Sequence, residues 1–555
     1  MFSLKILPVA LALSAAPLIT TGQQLATPNE IVDKLVAQEQ VEMQLLRQYT
    51  PLVETYIQYL RLDKQLGAVP NGDKYFLGRA ELVKGVGLEP LEHSAGLKRK
   101  LSESWREFWS TTFVPRGFLQ MIYLDMSGFD RQHYNFEYVQ REFLGEVRCL
   151  VFDVSPVKKS DKGRFVGRIW VEDQDYHIVR FNGSYGESFL LSSYFNFDSW
   201  RTNVGTNLWL PAFVYTEQGN VHDPQTVRVA FKPFRAQTRL WGYNLGRARE
   251  EQELSRVIVE GPTPIKDLTE AANDYSPLEA ERAWERQAES HVTDYLERHG
   301  LLAPRGDLER VLEMVVNNLE VTNGLDIQPE VRCRVLMTST LESFAIGHSI
   351  VMSRGLLDVL PDEASLAAVL AHELSHVMLA HRMNTQFAFF NSLRSKETET
   401  VRHFEFARTP AEEQAARQKG NELLRNSPYS DKAGEALLFA DALKNRSKDI
   451  PNLVSPLFGE KILTNWATAA AVSTAPQSDA KLTTDVVAAL PLGGRIKVDP
   501  WSDQLQMLKS KSSIAVTSAE KMPFQITPIV LYLTRQDNDA RTQRPAGVAA
   551  KLAKP

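Results

Sequence analysis

The sequence predicts an α+β multidomain protein, with an antiparallel, curved β-sheet domain on the N-terminal side and a mainly helical domain after it. Three observations predict this. At 555 residues the chain exceeds what one hydrophobic core organises. From about Gly67 to Arg256, short β-rich runs alternate with turn residues. From Pro277 onward apolar residues recur at helical spacing, and one such stretch, Ala371–His381, carries ionisable side chains at the edge of its apolar stripe. A composition 43% hydrophobic and 24% charged is ordinary for globular domains. The formal net charge of -5 gives no general attraction to nucleic acid. Cys149 and Cys333 stand far apart, which is neither a disulfide framework nor a thiolate metal site.

The first residues speak about location. Lys5 precedes an apolar run from Ile6 to Ile19, and Thr20 and Gly22 suit a cleavage site before Gln23. Residues 1–22 therefore read as a secretory signal peptide. No other apolar stretch reaches membrane-spanning length, so an exported chain with no transmembrane helix after cleavage is expected. Residues 23–66 read as a helical segment, with Val32, Leu35, Val36, Met43, Leu46, Val53, Ile57 and Leu60 on an apolar face and Pro51 as a break.

Residues 67–259 form the β-rich part. The runs Glu146–Val154, Arg164–Val171, Tyr176–Phe181, Leu208–Tyr215 and Thr226–Phe234 read as strands, with Glu172–Asp175 as a turn between two of them. Their regular spacing predicts an antiparallel sheet, curved or partly closed. The passage Gly145–Pro156, with the two strands after it, resembles the lipoprotein-carrier fold of LolA/LolB-like proteins. That resemblance implies a concave face able to hold an acyl chain or an extended peptide.

Glu260–Pro264, with two prolines and a glycine, marks a boundary, and residues 260–300 read as a linker and a charged, solvated helix. Leu308–Leu319 is a clearer amphipathic helix, with Leu308, Val311, Leu312, Val315 and Val316 on one side. The stretch Ala371–His381 follows. His372 and His376, four residues apart, project from one face of a helix and can grip one zinc ion, while Glu373 is placed to take a proton from a water that the metal activates. Pro361, Asp362 and Glu363 supply the helix start, and Leu366, Leu370 and Val377 the apolar stripe. Burying ionisable groups there needs a reason, and a metal is one.

Upstream of this helix, Ser343-Phe344-Ala345, the strand Ser349–Ser353 and Gly355-Leu356-Leu357 precede the His-Glu-x-x-His motif, and His381 follows it. Over about Leu308 to Asp441 this resembles the HtpX and CAAX-prenyl-protease type of zinc metallopeptidase. The resemblance implies a zinc metallopeptidase domain at 301–510, one zinc per chain, and a small edge-strand sheet. Its edge strand, at Ser343, Phe344, Ala345 and Ser349, would hold an extended peptide by main-chain hydrogen bonds. It also implies a carboxylate ligand from a later helix, with an aspartate four residues on that orients a ligand histidine. Two assignments stay open. Asp431 as ligand puts Glu435 in the orienting place and keeps both roles; Glu435 as ligand leaves Phe439 there. His381 reads as a structural or orienting residue beside the ligands. The family's late histidine has no counterpart, because no histidine follows His403; Asp499-Pro500-Trp501 stands where it is expected. Glu397 and Glu399 have thermolysin-like spacing but sit in a highly charged run that reads as a solvated face. Residues 511–555 read as a C-terminal tail.

The function these readings imply is an exported zinc endopeptidase of the bacterial periplasm or cell envelope, acting on protein or peptide substrates, with Glu373 as general base. The rival is a non-catalytic envelope chaperone or binding protein with a degenerate metallopeptidase site.

Overall fold

The computed structural model describes residues 28–63, 67–83, 85–91, 115–126, 128–158, 163–185, 196–205, 208–218, 233–243, 277–381, 404, 406–459, 496–498, 505–507, 526, 528 and 531–535. The expected signal peptide, the boundary at Glu260–Pro264, most of the Thr226–Phe234 strand, Glu397, Glu399 and Asp499–Trp501 lie outside these residues.

Helix α1 (Pro28–Leu46) leads into β1 (Leu52–Asp63), β2 (Gly67–Glu81) and β3 (Gly87–Pro90). After the short α2 (Pro115–Gln120) come β4 (Tyr134–Leu144), β5 (Val147–Pro156), β6 (Phe165–Glu172), β7 (Ile178–Tyr185), β8 (Asn196–Gly205), β9 (Leu208–Gln218) and β10 (Phe234–Trp241). These make one ten-stranded sheet in the order β3-β2-β1-β10-β9-β8-β7-β6-β5-β4, antiparallel throughout. It is open, with β3 and β4 at its edges.

Both faces of the sheet are covered. One packs against α1, α2 and the turn after it, through Leu35, Leu46, Phe118 and Ile122. Phe165, Phe181 and Phe197 fill this face with near-perpendicular or tilted rings about 6 Å apart. Below α1 lies a charge network. Arg201, fully buried, donates to both Glu39 and Glu42, and Glu42 also meets His177 Nδ1 at 2.6 Å. A buried guanidinium requires this pairing, and it fixes how α1 lies on the sheet.

The other face carries Tyr56, Leu77, Trp200, Trp209 and Trp241 into one continuous core with the helical part of the chain. That explains a correction. Within residues 23–66, expected to be helical, Pro28–Leu46 is a helix, but Leu52–Asp63 is a strand. Because β1 lies inside the sheet with cover on both faces, it shows no apolar–polar alternation; its spacing of Val53, Ile57 and Leu60 imitates a helix. Polar residues in its middle are buried with partners: Thr55 pairs with Thr238 across the strands, and Gln58 with Tyr56.

The helical part follows: α3 (Pro277–Arg298), α4 (Asp307–Thr322), β11 (Arg332–Leu336), β12 (Ser343–Ile346), β13 (Ser349–Ser353), α5 (Arg354–Val359), α6 (Glu363–Met378), α7 (Pro410–Arg425), a 3-10 turn at Ser430–Lys432 and α8 (Ala433–Arg446). The charged helix expected as a solvated linker buries Ala288, Val292, Tyr295 and Leu296 along α3. On α4, Leu308, Leu312, Val315, Val316 and Leu319 are buried at the predicted helical spacing. The small sheet runs β11-β13-β12, with β13 parallel to β11 and antiparallel to β12. Two further short strands, β14 (Ile496–Val498) and β15 (Leu505–Met507), pair with each other.

The large sheet and the helical part are joined by directed hydrogen bonds. Glu54 on β1 accepts from Ser339 N–H, Ser339 Oγ, Tyr75 and Arg239. Asp73 on β2 accepts from the backbone N–H groups of Asn452 and Leu453, at 2.9 and 2.8 Å. Residues expected in a tail also return to the sheet: Ile526 N–H donates to Gln58, Leu533 O accepts from Glu146 N–H, and Arg535 pairs with Glu172.

Candidate metal centre

Helix α6 carries the His-Glu-x-x-His motif. It starts where the sequence predicts: Asp362 is the N-cap, its carboxylate accepting from Ser365 N–H at 2.8 Å, and Glu363 follows in the first turn. The helix is buried on nearly every side, so His372, Glu373 and His376 are only 6, 3 and 2% exposed. Their Nε2 atoms converge: His372 Nε2 and His376 Nε2 are 3.3 Å apart.

The carboxylate that meets them is Glu413, not Asp431. Glu413 Oε2 lies 3.2 Å from His372 Nε2, and Oε1 lies 3.3 Å from His376 Nε2. Asp431 is exposed in the 3-10 turn and takes no part in the cluster. Glu435 lies on α8, with its side chain outside the described residues. The geometric reason is the packing of α7 on α6. Gly420 brings the two backbones together, such that a methyl group there would stand 3.1 Å from Ala371 O and from His372 Cα. Glu413 lies seven residues, about two turns, before Gly420 and so projects from the same face of α7. A signal for this helix was present in the sequence. Thr409 and Glu412 form a capping box, each side chain accepting the other's backbone N–H, with Pro410 at the first helical position.

These residues fit zinc. Metal–ligand bonds of about 2.0–2.1 Å at tetrahedral angles place neighbouring ligand atoms roughly 3.3 Å apart. Here the two imidazole nitrogens are 3.3 Å apart, and each lies 3.2 or 3.3 Å from one of the two Glu413 oxygens, separations of that size. Glu413 Oε2 is buried, with no hydrogen bond of proper geometry despite its closeness to His372. Burial opposes ionisation of Glu413, but the two imidazoles outweigh it and bring the carboxyl down to about 2. His376 Nδ1 stands 2.9 Å from His381 Nδ1, so one of these nitrogens donates to the other. Donation from His376 leaves its Nε2 lone pair free for a cation. The aspartate that the resemblance places four residues after the glutamate is Arg417 here. It is thus His381, on the chain just beyond α6, that touches the far side of a clustered imidazole.

Glu373 stands apart from the three converging groups. Its Oε1 accepts from Ser343 Oγ at 2.7 Å, and Ser343 opens strand β12. Among the described residues this strand is an edge of the small sheet, whereas Ser349 lies on central β13, paired to Arg332 on one side and Ile346 on the other. Ser349 therefore offers no free edge, which corrects its place in the expected edge strand. Gly347 and His348 form the two-residue turn between the strands, and Gly347 adopts φ 55°. Alternation from that turn directs the main-chain groups of Phe344 and Ile346 to β13 and those of Ser343 and Ala345 outward. The Ala345 carbonyl accepts from Arg408 Nη2 at 2.8 Å. The Phe344 ring stacks on Phe406 with centroids 4.7 Å apart.

A second cluster of metal-ligand types, Glu172, Asp175 and His177, is engaged otherwise. Glu172 accepts the backbone N–H groups of Gln174, Asp175 and His177 and pairs with Arg535. His177 uses both ring nitrogens on Glu42 and Gln38.

Among known proteins, none of the curated proteins compared matches this chain. One family does. Residues 303–409, from just after α3 through α4, β11–β13 and α6 to the N-cap of α7, match Peptidase family M48. The match contains the two histidines and Glu373 and ends just short of Glu413. On this match and on the motif it encloses, the chain carries a domain of the M48 metallopeptidases.

Proposed function

We propose that the protein is an exported zinc endopeptidase that hydrolyses peptide bonds in proteins of the bacterial periplasm or cell envelope. The observation that carries this reading is the convergence of His372, His376 and Glu413 at tetrahedral spacing, with Glu373 beside them and free of the cluster. Zinc at that point would acidify a water and polarise the scissile carbonyl. The chain's own residues do the rest. Glu373 takes the proton of the attacking water and passes it to the leaving amine. Ser343 fixes the carboxylate that does so. Strand β12 offers main-chain groups to an extended substrate, which leaves side-chain selectivity loose. The export half of the proposal rests on residues 1–22, and envelope substrates follow from it.

The test uses protein lacking residues 1–22. About one zinc per chain is expected, with casein hydrolysis that a chelator abolishes. Glu373→Gln keeps the zinc and lowers hydrolysis by about two orders of magnitude. Chelator-sensitive hydrolysis that survives Glu373→Gln unchanged sinks the mechanism.

A second reading, a chaperone or binding protein with a degenerate site, has one observation in its favour: Arg408 already holds the outward carbonyl of Ala345. Zinc-loaded wild type that binds unfolded casein without ever cleaving it would establish this reading instead.

A further inference from the structure

We infer that Arg408 is a positioning residue that holds Glu413, the third arm of the metal centre, in place. The inference rests on the proposed metal site. Glu413 lies in the first turn and a half of α7, where a helix held only by its own caps is free to shift. A zinc ligand tolerates displacements of only about 0.2 Å. Something beyond the capping box has to fix this end.

Two anchors bracket Glu413. Gly420 seats the middle of α7 against the backbone of Ala371 and His372. Arg408, just before the Thr409 N-cap, reaches across to Ala345 O at 2.8 Å. The second anchor bears on β12, the strand whose Ser343 holds Glu373. Glu413 and Glu373 come from different helices, and through Arg408 and Ser343 both are referred to one short strand. Phe406, two residues before Arg408, strengthens the attachment by stacking on Phe344 and donating its N–H to Phe458 O at 2.8 Å.

Charge alone predicts the opposite effect for the same residue. A cation near a dication weakens its binding, so removing Arg408 for its charge would tighten zinc. Four carboxylates, Glu373, Glu412, Glu413 and Glu289, act on this guanidinium. Their negative charge opposes that of the guanidinium around the site. The tether is the larger effect, and the sign of the change in affinity decides between the two.

The experiment measures zinc affinity of the chain lacking residues 1–22 by competition with a chromophoric chelator. It also records the visible spectrum with cobalt(II) in place of zinc. Arg408→Ala should weaken zinc by about ten- to a hundredfold, the range for residues that support a ligand from behind. Its cobalt spectrum should move toward that of Glu413→Ala, which a general loss of stability would not produce. Arg408→Lys, which keeps a donor and the charge, should stay near wild type. Should Arg408→Ala fail to fold, Arg408→Met keeps the packing of the stem without any donor and reads the same loss. Zinc bound by the variant as tightly as by wild type, or more tightly, overturns the inference and leaves the metal site standing. A wild type that binds no zinc overturns the metal site and the inference together.

Discussion

Glu413 and Asp431 differ by one methylene in chemistry and by their whole surroundings in structure. Glu413 is buried against two imidazoles, and Asp431 faces solvent. Glu413→Ala should therefore lower zinc content to a small fraction of one per chain, and Asp431→Ala should leave it unchanged; metal analysis of the two purified variants checks both. Ser343→Ala should keep the zinc and lower turnover about tenfold, as loss of an orienting partner does. Steady-state kinetics read it, with the fall expected in kcat. Glu289 on α3 supplies a pH test away from the metal. Burial, with Glu285 nearby, raises its carboxyl from the ordinary 4.5 to about 7. A raised acid pKa means that the folded chain holds the extra proton between about pH 4.5 and 7. Its penalty is complete above pH 7 and fades as the pH falls toward 4.5. Glu289→Gln should thus melt higher than wild type at pH 8 and together with it near pH 4.5, in thermal unfolding scans at the two values.

At the scale of elements, α6 was legible because each of its signals agreed: an acidic N-cap, an apolar stripe, and His-Glu-x-x-His on one face. Helix α7 was not read, although Thr409-Pro410-Ala411-Glu412 spells a capping box. Nothing local announces that Glu413 turns inward. That depends on Gly420 meeting the backbone of α6, a contact between segments far apart in sequence. Gly420→Ala should push α7 outward and cost roughly 1–3 kcal/mol, the usual penalty for overpacking a tight contact. Chemical denaturation of the metal-free protein measures it. Strand β1 escaped for the complementary reason, since cover on both faces erases the alternation by which strands are recognised. Its richness in Val, Thr, Tyr and Ile was the surviving signal.

Across the whole molecule, the sheet and the helical part share one core and a set of buried hydrogen bonds. Glu54 is one of these junctions, joining β1, β2, β10 and the loop before β12. Glu54→Ala should cost about 3–5 kcal/mol, because Arg239 is left buried without its carboxylate. The helical part expressed alone, from Pro277 onward, should show no cooperative thermal transition by circular dichroism. It would lose the partners of Ser339, Asn452 and Leu453 and expose the apolar surface that the sheet covers. A sharp transition in that fragment would show instead that the sheet is an accessory.

The order in which the chain is made gives these junctions a consequence in time. Synthesis runs from the N-terminus, and the sheet residues leave the ribosome first. Glu54 then waits for a partner 285 residues later, Asp73 for one 379 residues later, and Glu172 for Arg535, 363 residues later. The sheet settles fully only late, because until then its buried carboxylates have only the partners that the sheet itself supplies. The loop that leads into β12 takes its position from that sheet, so the surroundings of Glu373 are assembled only when most of the chain has been translated.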